Sequence, residues 1–351
     1  MNYYNIDDVA RNNTEDLFTI VGSSTEKIDA LSSTPYSYWK ETIKQFFKKP
    51  SVYICLVLLL LVIFFTIFGT VIKSWDITIT PGYQYTDRFG YDELLGRFVA
   101  VGPNRENWFG VAAPGLSKEW IGLDMWTLVW TGARLSLLLG LVVAVIESFF
   151  GILIGALWGY FPRLDPIMLE FRNFVSNIPS LLIHIMLMQI FAQYMDRYAF
   201  IIIVFLLTML SWMPLAGTIR NHIIIIRHRE YNIASQTLGS GAGAMVTHNL
   251  LPYIISIIVS QISLSIPGAI SSEVGLSYFN LSFKFTQGDI TLGQVLTEMT
   301  RTTGGVAGVV APWMDHWWLI VAPLVVLVPI TVCFFYLGIA LADASDPKKH
   351  R

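Results

Sequence analysis

The chain has 351 residues, of which 54% are apolar and only 14% charged, where about 25% charged is usual for a soluble domain. A mean hydropathy of +0.56 excludes an ordinary soluble domain, and a formal net charge of -2 gives no signal for nucleic acid. Cys55 and Cys333 are the only cysteines, and both lie in apolar runs, which excludes a disulfide scaffold or a cysteine metal cluster.

Residues 1–50 are polar and read as a cytoplasmic segment without a cleavable signal peptide. Within it, "YWKETIKQFFKKP", Tyr38 to Pro50, reads as an amphipathic interfacial helix, its aromatic rings beside the headgroups and its lysines outside. For residues 1–30 the alternative is disorder. A crossing helix needs about 20 apolar residues. Ser51 to Ile72 carries no charge and is the first span. Residues 73–134 form a long external segment rich in Pro, Gly, Trp and Tyr. Five further spans then form a core over 135–342: Leu135–Tyr160, Phe171–Tyr194, Tyr198–Ile219, Leu251–Ile270 and Trp317–Ala342. A second external segment, 271–316, interrupts that core, and 343–351 is a cytoplasmic tail. The external segments read as solvated caps or as contacts for an external partner. The fold class expected is all-α, a polytopic membrane protein with six transmembrane helices.

Six spans put both termini on one side. Lys40, Lys44, Lys48, Lys49, Arg163, Arg220, Arg227, Arg229, Lys348, Lys349 and Arg351 fall on that side, against Arg197 alone in the short opposite turn. The excess of Lys and Arg makes it the cytoplasmic side. Trp120, Trp126, Trp130, Trp313, Trp317 and Trp318 cluster near expected membrane borders, where indole rings anchor. Gly151, Gly155 and Gly159 in the second span give small-xxx-small spacing, which lets two backbones approach. Pro179, Pro214, Pro267, Pro323 and Pro329 fall within or near spans and remove backbone donors there.

Glu147 is the sharpest charge inside a span, and such charges face a partner or a cavity. With Asn177 and Gln261 it is a candidate for lining a path between helices; interhelical hydrogen bonding is the alternative. The six histidines are scattered and show no metal-ligand spacing. No nucleophile elbow or Walker lysine motif occurs. "GSGAGA", Gly239 to Ala244, matches a loose dinucleotide pattern, but a span precedes it where a strand is required.

"RHREYNIASQTLGSGAGAMVTHNLLPY", Arg227 to Tyr253, joins two spans on the cytoplasmic side. Its first half predicts about three turns of helix, broken by the glycines at 239, 241 and 243. Small Ala234 and Ser235 let another surface come close, so the segment reads as a docking element or as a connecting loop.

This segment resembles the cytoplasmic loop of binding-protein-dependent ABC importer permeases, whose pattern is Glu-Ala-Ala, three residues, Gly, then Leu-Pro. The match falls on Ile233, Ala234, Ser235, Gly239, Leu251 and Pro252, with Ile233 in place of the glutamate. Gly122 to Met168 resembles the family's Gly-Ala-Arg-x-Ser-Leu opening of the permease core, Ser271 to Phe283 the segment after the fifth span, and Gly338 to Lys349 the C-terminal ending. Together they resemble the C-type permease subunit of oligopeptide and dipeptide importers. The resemblance implies the type I permease fold. It also implies a non-catalytic subunit that forms half of a peptide path in a heterodimer with a second permease. Two cytoplasmic ATPases would bind the ATP, no cofactor would sit in this chain, and an external lipoprotein would deliver the peptide. Arg229, Glu230, Tyr231, Ile233, Ala234, Ser235 and Gly239 would couple to an ATPase. Two rivals remain at this stage: a self-sufficient secondary transporter, and a structural or assembly subunit without a path.

Overall fold

The computed structural model describes residues 38–73, 91–92, 97–98, 102–105, 107–112, 123–282, 290–303 and 316–345. Residues 1–30, Trp120, Trp313 and the basic tail from Lys348 lie outside them. The chain divides into two compact units, 1–41 and 42–351. Helix α1, Tyr38–Phe47, runs across that boundary and realises the expected short helix before the first span.

Helix α2, Pro50–Ile72, opens with proline in its first turn, where the missing N–H costs nothing. Its buried residues, Val52, Leu59, Val62, Thr66 and Gly69, recur at helical spacing and form one seam. The opposite face leaves Ile54, Leu60 and Val71 exposed, as a helix set in lipid does. Two-residue ladders pair Tyr91–Asp92 (β1) with Arg97–Phe98 (β2), and Val111–Ala112 (β3) with Leu123–Asp124 (β4), both antiparallel.

Helix α3, Met125–Tyr160, begins well before the apolar run at Leu135 because Asp124 caps it. The Asp124 carboxylate accepts from the Thr127 N–H at 3.0 Å and from its hydroxyl at 2.9 Å, satisfying amides that the first turn leaves open. Residues 125–134 therefore belong to a helix, not to the external segment. Trp126 and Trp130 are buried in the α2–α3 contact. Trp126 Nε1 donates to Gly69 O at 2.9 Å, and the Trp130 ring stacks on Phe65 at 5.2 Å between centroids. Trp317 remains exposed.

Helix α4, Asp165–Ser176, and helix α5, Ser180–Phe191, replace the expected single third span. Pro179 breaks them apart, since it cannot donate to the preceding turn. Helix α6, Met195–Arg227, turns back at 192–195 and lies along α5. His184 Nε2 of α5 sits 3.1 Å from Leu206 O of α6, and the Phe191 and Phe205 rings are 5.9 Å apart. Five helical segments among the described residues are long and apolar enough to cross a membrane. One of them, Ser180–Arg227, is this hairpin, whose first arm of 12 residues is shorter than a full crossing.

After α6 comes α7, Glu230–Thr237. An irregular stretch follows: one turn at Ala242–Ala244, a π turn at Met245–Leu250 and a 3-10 turn at Leu251–Ile254. Pro252 withholds the donor that a regular helix needs there. Helix α8, Ile255–Tyr278, thus starts later than expected and continues past Ile270. Helix α9, Leu292–Thr303, lies in the second external segment, and its Leu292, Val295 and Met299 are buried. Glu273 of α8, fully buried, anchors its approach: one carboxylate oxygen accepts from the hydroxyls of Ser277, Ser282 and Thr291 at 2.6, 2.8 and 2.6 Å. Helix α10, Trp318–Ser345, closes the bundle.

The glycine spacing on α3 works as predicted. Gly151 faces Leu215, Gly155 faces Ala216 and Gly159 faces Ile223, so α3 and α6 meet backbone to backbone. Lys49 Nζ pairs with Asp343 at 2.9 Å, joining the start of α2 to the end of α10. Arg227 Nη1 donates to Tyr160 O at 2.8 Å, joining the ends of α6 and α3. Because α2 runs antiparallel to α3, with Gly69 against Trp130, all four ends lie at the same end of the bundle as α7.

Candidate functional site

Helix α7 is short and stands between two crossing helices. Eight isolated residues would not hold a helix in water, so its persistence needs outside contacts. Arg229 in extended conformation opens it, and Gly239 with φ of +90° closes it. That φ suits glycine because a Cβ would strain it. The amides of Gly239 and Ser240 donate back to Gln236 O and Ser235 O, which fixes the last turn.

The main anchor is Asn232, a residue the sequence reading passed over. Its side chain is fully buried, and Nδ2 donates to Ile226 O at 2.9 Å, on the last turn of α6. From the other side, Asn249 Nδ2 donates to Ser235 Oγ at 3.3 Å, tying α7 to the stretch that leads into α8. The Arg229 guanidinium lies 4.9 Å from the Tyr253 ring centre, a cation–π contact. Helix α7 is thus pinned to the helices before and after it. Its signal in the sequence was faint: one asparagine in an otherwise unremarkable "EYNIAS".

The seven residues singled out for docking gather here. Arg229, Glu230, Tyr231, Ile233, Ala234 and Gly239 are exposed, and Ser235 is half-buried against Asn249. Tyr231 is 49% exposed, Ile233 48% and Leu238 88%. Three apolar groups in water on so small an element form a surface suited to a protein partner. Ile233, in the place of the family's glutamate, adds to that apolar surface.

Beside α7, at the same end, Asp165 is held by Arg220 in a two-pronged pair at 2.7 and 2.6 Å. Trp158 Nε1 adds a third donor at 2.8 Å, so α3, α4 and α6 meet on one carboxylate. These hydrogen bonds, those of Arg220 first, hold the Asp165 carboxyl below the usual carboxylate range. A depressed folded-state value stabilises the fold above the ordinary value of about 3.9, and that contribution fades as pH falls through the lower value. Acid titration of thermal stability in detergent is therefore expected to show a loss below about pH 4 that Asp165→Asn removes. An unchanged acid profile in that variant would show that the pair adds nothing.

Deeper in the bundle, a cavity of about 240 Å3 opens between α3, α6 and α8. Glu147 and Gln261 both line it. Ser265 Oγ donates to Glu147 Oε1 at 3.1 Å. Asn177, the third candidate, stands apart: it is exposed at the break after α4, where its amide caps the helix. Among the described residues no group of three His, Cys, Asp or Glu side chains could hold a metal.

Comparison with known proteins bears on both features. Residues 151–351 match the family described as "Binding-protein-dependent transport system inner membrane component". Residues 37–91 match the "N-terminal TM domain of oligopeptide transport permease C". The chain is 32% identical over 328 residues, 93% of itself and 94% of the other protein, to the oligopeptide transport system permease protein AmiD of Streptococcus pneumoniae. It is 29% identical over 252 residues, 71% of each chain, to the dipeptide transport system permease protein DppC of Bacillus subtilis. With the oligopeptide transport system permease protein OppC of Bacillus subtilis the identity is 25% over 340 residues, 96% of this chain and 99% of that one.

Proposed function

Because the chain belongs to the family of binding-protein-dependent transport system inner membrane components, we propose that it is the permease subunit of an ATP-driven oligopeptide importer. The observation that carries the reading is α7, a short helix with exposed apolar groups, fastened by buried Asn232 between two crossing helices. On this reading the end of the bundle that carries α7 is cytoplasmic, both termini lie on that side, and the protein sits in the cell membrane.

The chain pairs with a second permease as a heterodimer, and each permease forms half of the path. Two cytoplasmic ATPases bind the ATP, and an external peptide-binding lipoprotein presents the peptide. This chain contributes no hydrolytic group. Arg229, Glu230, Tyr231, Ile233, Ala234, Ser235 and Gly239 form the surface that one ATPase grips. When the ATPases close, α7 moves with its host. Its bonds to Ile226 O and Asn249 pass the displacement to α6 and α8. Those two helices, with α3, enclose the cavity around Glu147 and Gln261. Asn177 lies at a helix break that can flex as the bundle rearranges. ATP shifts the equilibrium only through contacts that differ between the two states, and α7 supplies such a contact.

The test is reconstitution of the chain with its partner permease, the two ATPases and the binding protein in lipid vesicles. Peptide uptake is expected to require ATP, and peptide-loaded binding protein is expected to raise ATP hydrolysis. Uptake by the permeases without the ATPases would point instead to a secondary transporter. A complex that assembles but moves no peptide would point to a structural subunit.

A further inference from the structure

Glu147 sits within the apolar run 135–160 of α3, at the depth where a lone charge is most costly. Ser265 of α8 donates to one of its oxygens. Ser211 of α6 places a second hydroxyl, buried, beside the same carboxylate. Gln261 lines the same space, and no Lys, Arg or His does so among the described residues. The cavity carries one carboxylate with hydroxyl and amide acceptors around it, and no cation among its described lining residues. Its volume of about 240 Å3 far exceeds that of one water, which takes about 30 Å3.

We propose that this cavity is a subsite for a primary ammonium group of the transported peptide, its α-amino terminus or a lysine side chain. The assignment rests on the importer reading above. An ammonium brings three donors and one positive charge. Glu147 supplies the charge, and Ser211 and Gln261 supply neutral acceptors. A proton alone would neutralise the carboxylate but would leave the cavity unfilled. The three helices that build the subsite include α6 and α8, to which α7 is tied. Its occupancy is therefore placed to be felt at the coupling surface.

The test uses the full reconstituted importer and three short peptides of otherwise equal sequence: free amino terminus without lysine, N-acetylated without lysine, and N-acetylated with one lysine. The binding protein makes its own choice among them, so the reading is the change in uptake ratio between permease variants. In Glu147→Gln the ratio of free to acetylated uptake is expected to fall roughly 10-fold, the size of one charge-assisted hydrogen bond. Glu147→Asp is expected to keep it, and Ser211→Ala to lower it a few-fold. The lysine peptide assigns the source: uptake that is also lost in Glu147→Gln means that a lysine side chain enters the subsite, and uptake that is unaffected restricts it to the α-amino group. An unchanged ratio in both Glu147→Gln and Ser211→Ala overturns the proposal, and is the result that a site filled only by a proton gives. Equal loss of all three peptides in Glu147→Gln, with normal elution of the complex, also overturns it by showing a structural role. If the wild-type importer takes up none of the three, it is the importer reading itself that falls.

Discussion

Gly155→Leu is expected to prevent recovery of a folded, monodisperse chain from detergent, and Gly155→Ala to lower its stability by about 1–3 kcal/mol, the usual cost of overpacking. A Cβ at this position would lie 2.8 Å from both the Cα and the carbonyl oxygen of Ala216. These are backbone atoms, so no rotamer change can relieve the clash. The helices would have to separate along the whole α3–α6 seam, and the neighbouring contacts at Gly151 and Gly159 would open with it. Gly140 makes the comparison: its Cβ would meet Ile270 Cγ1 at 3.0 Å, a side-chain atom that can yield. Gly268 has nothing within 4 Å, and Gly268→Ala should leave stability unchanged or raise it through helix propensity. Thermal unfolding of the three alanine variants in one detergent checks the order. A Gly155→Ala protein as stable as Gly268→Ala would mean that the seam is not held by close backbone packing.

The seam was legible because small-xxx-small spacing has one physical use in lipid. The apolar spans were legible for a similar reason: uncharged runs of about 20 residues have few homes. Their edges were not. Asp124 starts α3 early through a capping bond that no hydropathy window weighs. Pro179 divides the third span, where a proline predicts a bend but does not by itself distinguish a kink from a full break. The partner of Trp126 was not legible either: its N–H meets Gly69 O, 57 residues away in sequence, which only the fold brings near. The coupling segment shows both sides of this. Gly239 was readable as a helix stop because its positive φ belongs to glycine. Asn232 was not, since nothing local marks an asparagine as buried. Of the path candidates, Glu147 and Gln261 meet because their helices cross at one depth, whereas Asn177 lies at a break whose position the sequence did not reveal.

Asn232→Ala is expected to uncouple the importer: peptide uptake falls at least about 10-fold, while the ATPases hydrolyse ATP at a basal rate that loaded binding protein no longer raises. Eight residues gain little from their own hydrogen bonds, so docking decides whether the helix exists. Asn232 supplies the buried part of that docking, and its loss leaves a cavity and removes the one side-chain donor to Ile226 O, which keeps the Arg229 amide. A hydrogen bond lost in this way costs about 0.5–1.5 kcal/mol, to which the cavity adds, and about 1.4 kcal/mol is a factor of ten in an equilibrium. The loss therefore populates states in which α7 is detached from α6, and a pull on α7 then moves nothing else. Leu238→Ser separates grip from transmission. Leu238 is 88% exposed and bonds to no neighbouring helix by its side chain, so this change should weaken association with the ATPase and spare the melting temperature of the isolated chain. Asn232→Ala should do the reverse: it should lower the stability of the α7 region, read as faster hydrogen exchange over 230–237, while the ATPases still bind. Full uptake by Asn232→Ala with exchange accelerated over those residues would show that force reaches the bundle by another route, and the role assigned to α7 would have to be withdrawn.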